Sequence, residues 1–148
     1  MTEENLLLKP PQYKVTKTSR GIRREFLYTS GQRFSEYRSH AELFGYPLVC
    51  IANGIHPETG KTAVARGVIA IGQRACGVVA IGQMATGVVA IGQLAWGSFI
   101  AIGQVAAAPL AVGQVAVGIV AAGMAGAAVA GAFLAGYAFW GWMLSPAL

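Results

Sequence analysis

The chain has 148 residues, eleven basic and six acidic side chains, and a formal net charge of +5. Every Lys and Arg lies at or before Arg74 and every acid at or before Glu58, so 75–148 is a run of 74 uncharged residues. Such a tract excludes the interspersed charge of an ordinary soluble surface and points to a membrane, to self-assembly or to a large partner.

The first fifteen residues, MTEENLLLKPPQYKV, hold two acids and two prolines and no basic stretch ahead of an apolar run. No cleaved secretory signal is expected from them, and the expected location is the cytoplasmic face of the inner membrane or the membrane itself. Residues 1–12 read as a flexible lead-in and 13–66 as a small, basic, β-rich cap. Within the cap, 13–28 predicts two short strands about the turn Ser19-Arg20-Gly21. Residues 35–43 predict a short helix ended by Gly45 and Pro47, and PLVCIA (47–52) predicts a strand. His56-Pro57-Glu58-Thr59-Gly60 reads as a turn, after which 61–65 leads into a repeat.

The repeat shows first as Gly-Gln, at Gly72, Gly82, Gly92, Gly103 and Gly113, in steps of ten, ten, eleven and ten. Its finer unit is five residues, Gly-x-φ-Ala-x with φ apolar, and Val and Gln alternate after successive glycines. A helix is a poor host, because a ten-residue step leaves equivalent positions about 80° apart around the axis. A glycine in every five residues would also cost a helix about 1 kcal/mol each. A straight strand fails too, since an odd repeat swaps faces at each copy. A bend every five residues answers both objections, and four sides per coil predict a square β-solenoid of about twenty residues per coil, stacked about 4.8 Å apart.

On that register the inward residues are Gly and φ, with Ile69, Val89 and Leu110 in one ladder and Met84 over Val105 in another. Gln73, Gln93 and Gln114 form an outward ladder, with Gln83 and Gln104 on the opposite face, where amides can bond from coil to coil. Arg74 is the misfit, because it falls on an inward position. One residue is extra in GSFIAI (97–102).

The five-residue pattern over 67–122 resembles the pentapeptide-repeat proteins, whose right-handed square β-helices turn a small and a larger apolar residue inward. The resemblance implies three to four coils. This sequence departs from the pattern in using Gly as the small residue and Ala and Val at positions that family makes polar. Members of that family that mimic DNA have acidic outer faces, and this chain has no acid after Glu58. The stretch 44–72, FGYPLVCIANGIHPETGKTAVARGVIAIG, is also similar to uncharacterised bacterial proteins with a cap followed by Gly- and Ala-rich repeats. Residues 123–148 keep glycines at 126, 131, 136 and 141. They read either as a last coil or as a transmembrane helix with Tyr137, Trp140 and Trp142 in an interfacial belt.

Chemistry-bearing residues are few. His40 and His56 are the only histidines, there is no Asp, and Cys50 and Cys76 have no metal-ligand spacing. No phosphate loop accompanies the Gly-Gln repeats, and no cofactor or metal site is expected. Cys50 and His56 form a pair only if they meet across a hairpin, and a core thiol beside a turn histidine is the plainer expectation. Lys14, Lys17, Arg20, Arg23 and Arg24 are candidate contacts for anionic lipid, ahead of nucleic acid. Taken together, these features predict a non-enzymatic structural or scaffold protein, self-assembling or membrane-associated through apolar solenoid faces. The alternative is an integral membrane protein with Gly-rich transmembrane helices, acting as a small subunit of a larger complex. Partners are then copies of the chain, membrane lipids or that complex.

Overall fold

A computed structural model describes residues 12–138, with side chains described through Ala130. The lead-in up to residue 11 and the last ten residues, with Trp140 and Trp142, lie outside the described part. Among the described residues the chain is mainly β with no helix. β1 (Lys14–Thr18), β2 (Gly21–Leu27), β3 (Arg33–Ser39) and β6 (Val49–Asn53) are followed by the long β7 (Val64–Ala107) and β8 (Leu110–Ala138). These six form one mixed sheet in the order β1-β2-β3-β6-β7-β8, while β4 (Glu42–Leu43) and β5 (Tyr46–Pro47) make a separate hairpin.

The first four sheet strands pair antiparallel, and β6 begins the parallel part by setting Val49 against Ile69 and Ala52 against Gly72. The expected β1–β2 hairpin, the strand near 47–52 and the turn at 57–59 all form. The helix expected over 35–43 does not. Residues 33–39 are a strand between β2 and β6, because alternation there buries Phe34 and Glu36 while their neighbours face out. No transmembrane helix forms over the described part of the C-terminal segment, where β8 runs to Ala138.

The repeat stacks on itself in ten-residue steps. β8 lies parallel to β7 with Ile100 beside Leu110, Ala101 beside Ala111 and Gly103 beside Gly113. Earlier copies keep the same offset, with Gly77 on the carbonyl of Gly67, Gly82 on Gly72 and Gly87 on Gly77. At Gly103 the offset is eleven, onto Gly92, and the extra residue is absorbed at 97–101, where Gly97 closes onto the carbonyl of Ile100. Pro109, which has no N–H to give the ladder, separates β7 from β8.

This register corrects two expectations. Neighbouring segments are offset by ten residues, where about twenty was expected, and the buried position is the alanine, not φ. Alanines at every fifth position from Ala65 to Ala95, and again from Ala101 to Ala121, form one contiguous core with Phe34 and Cys50. Ile69, Met84, Val105 and Leu110 are 36%, 46%, 42% and 38% exposed, and Val89 is half-buried. Period-two alternation survives inside each repeat, with φ out, Ala in and the next residue out. Methyl groups fill the space where the alanines meet, so the larger side chains go outside. Arg74 is exposed, which removes the misfit.

Candidate functional site

The alternation that buries alanine sets the outer surface. On one side, one outer file runs Ile69, Val79, Val89, Ile100, Leu110 and a second runs Ile71, Ile81, Ile91, Ile102, Val112. Neither file contains a polar or charged residue. The face continues into the cap, because Val49 and Ile51 pair with Ile69 and Ile71, and Tyr37 pairs with Ile51. Beyond Tyr37 it turns polar at Arg23, which pairs with Tyr37 and Thr16. One sheet face therefore passes from a basic end to an aliphatic wall.

The five candidate lipid-contacting cations do not share one surface. Register and alternation put Lys14 and Arg23 on that outer face, Lys17 and Arg24 on the other, and Arg20 in the turn between strands. Glu25 neutralises part of the outer set, with Arg33 Nη2 at 2.7 Å and Arg23 Nε at 2.8 Å. The Arg33 hydrogen bond first, then the charges of Arg23 and Lys14, hold the Glu25 carboxyl below its usual range. β1 itself is exposed throughout and carries two lysines on the free edge of the sheet.

Apart from the two aliphatic files lies a groove of about 670 Å³. Its lining includes the file Gly67, Gly77, Gly87 and Gly97 with Val68, Val78 and Val88. Arg66, Cys76, Thr86 and Trp96 follow one another along one side, and Leu43, Phe44 and Tyr46 of the β4–β5 hairpin form a wall. That hairpin turns through Phe44 and Gly45 at φ 53° and 76°, the pair of left-handed residues a two-residue turn of this kind needs. Phe44 is a bulky residue where Asn is the usual choice, and it is 93% exposed. Sequence reasoning missed this site because 35–43 read as helix. The available signal was Phe-Gly between Glu42-Leu43 and Tyr46-Pro47.

The remaining candidates are separate. Cys50 is fully buried, and that burial pushes its thiol above the ordinary value, the reverse of an activated nucleophile. His56 instead packs its ring 5.2 Å from that of Phe34, and its Nδ1 accepts from the Glu58 N–H at 3.3 Å. Tyr13 donates to Glu58 Oε1 at 3.0 Å; partial burial and that carboxylate push its phenol up to about 12. Cys76 is exposed. No group of metal-ligating side chains occurs among the described residues. The ten-residue register brings Gln73, Gln83, Gln93, Gln104 and Gln114 into one file, where two opposite faces were expected. Comparison with known protein families, curated proteins and solved structures finds no match.

Proposed function

We propose that the chain is a non-enzymatic assembly module, a β-solenoid of ten residues per coil that pairs with a second copy through its flat aliphatic face. The observation that carries this reading is the pair of outer files from Ile69 to Val112, wholly aliphatic and only about half covered. From β6 to the Leu110 layer the face extends roughly 24 Å at about 4.8 Å per layer. Two copies share that spacing, so the ridges of one mesh between those of the other along the whole length, in a closed two-fold arrangement. Stacking through the β1 edge is disfavoured instead, because Lys14 and Lys17 guard it.

The energetics favour pairing but leave it sensitive. Fully burying a Val or Ile is worth roughly 1.5–3 kcal/mol, so completing the burial of these half-covered residues contributes about 1 kcal/mol each. That gain works against an association cost of about 4–15 kcal/mol, so a charge at the centre of the face is enough to disrupt pairing. Sedimentation equilibrium of the full chain tests the reading: the wild type is a dimer, and Ile91→Lys, at the centre of the face, is a monomer with an unchanged β spectrum. A monomeric wild type that floats with anionic vesicles gives the face to lipid and overturns the pairing.

A further inference from the structure

We propose that the groove beneath the β4–β5 hairpin binds a free long-chain fatty carboxylate. Its tail lies along Val68, Val78 and Val88 toward Trp96, and its carboxylate sits at Arg66. The volume, about 670 Å³, falls within the range of small-ligand sites. Its shape is set by the stack. Arg66, Cys76, Thr86 and Trp96 occupy successive layers, so the groove is roughly 14 Å long at about 4.8 Å per layer. Glycine at each corner keeps the floor free of side-chain branches between the valines.

Charge chooses the occupant. Arg66 is the one charged residue lining the groove among the described residues, and it stands at one end of the row that Trp96 ends. A compact anion would use Arg66 and leave the aliphatic floor in water. An uncharged hydrocarbon would use the floor and leave the guanidinium without an anion. An extended peptide would find few partners for its N–H and C=O groups besides the hydroxyls of Tyr46, Thr86 and Ser98. An amphiphile with an anionic head uses both ends. Phe44 adds to this, since an aromatic held at φ 53° and 93% exposed is accounted for by contacts outside the chain rather than within it. The site is independent of self-pairing, because Ile69 and Ile71 and the files they begin take no part in the lining.

The test uses the full chain and dodecanoate, whose extended length matches the groove, with 1-dodecanol as the uncharged counterpart. Calorimetry will show saturable binding of one dodecanoate per chain, and bound dodecanoate will slow alkylation of Cys76 by N-ethylmaleimide. Arg66→Gln will weaken dodecanoate roughly tenfold, the loss of one charge-assisted contact, and leave 1-dodecanol unchanged. Arg74→Gln, an exposed cation outside the groove, will change neither. Val78→Glu will abolish both, with unreactive Cys50 reporting an intact core; if that variant does not fold, the Arg66→Gln comparison decides alone. The proposal is overturned by the absence of saturable dodecanoate binding, by binding confined to phosphatidylglycerol vesicles, or by Arg66→Gln acting equally on acid and alcohol.

Discussion

Gly82 lies against the carbonyl oxygen of Gly72, ten residues earlier, and a Cβ on Gly82 would overlap that oxygen. The same contact recurs with Gly92 on Gly82, Gly103 on Gly92 and Gly113 on Gly103. The obstruction is backbone, which cannot rotate away as a flexible side chain would. Gly82→Ala will therefore lower stability by about 1–3 kcal/mol, measured by urea unfolding. Gly92→Ala will behave alike, because its environment is a copy.

Ala90 and Val89 separate the ten-residue layer from a twenty-residue one. Ala90 is fully buried, so Ala90→Val forces extra carbons into a filled interior and will cost about 1–3 kcal/mol. Val89 is only half-buried on the outer surface, and Val89→Ala will cost less than Ala90→Val in the same denaturation assay. A coil with φ inward requires the opposite order.

The two thiols differ in access. Cys76 is exposed and Cys50 fully buried, with its thiol pushed up by desolvation. A disulfide reagent at neutral pH will titrate one thiol in the folded chain and two after denaturation. Cys76→Ser will leave the folded chain unreactive.

Tyr13 makes the fold sensitive to alkali. Its phenol stands at about 12 against an ordinary value of 10.0, first through burial and then through the hydrogen bond and charge of Glu58. A raised folded value means that its contribution is complete below the unfolded value and is lost as pH rises from about 10 toward about 12. Comparing tyrosinate absorbance of wild type and Tyr13→Phe will isolate this titration. Glu58→Gln will move it to lower pH.

Phe44 sits in a left-handed conformation that Asn adopts more readily. Phe44→Asn will relieve that strain and raise thermal stability by about 1 kcal/mol, since an exposed ring forfeits little packing. It will also remove part of the groove wall, so dodecanoate binding will weaken while stability rises.

Much was legible in the residues alone. The Gly-x-φ-Ala-x unit disfavoured helix on propensity and periodicity, and it pointed to a mainly β chain with an extra residue at 97–102. The confinement of charge to the first half, and the wholly aliphatic positions of the second, were equally plain. These are local properties, carried by each residue whatever it later touches. Layer size is different. The offset between neighbouring segments, ten residues rather than twenty, depends on how near two backbones approach, a distance that exists only once both segments are in place. Ala70 against Ala80, with Ile69 and Ile71 turned outward, is the outcome of that approach. The strand at 33–39 was likewise decided by its neighbours, because β2 and β6 supply the partners that bury Phe34 and Glu36. Once that segment pairs, residues 42–47 are left to fold as a hairpin beside Arg66 and the valine corners. The groove is thus a product of tertiary placement, while the aliphatic wall was written into the repeat.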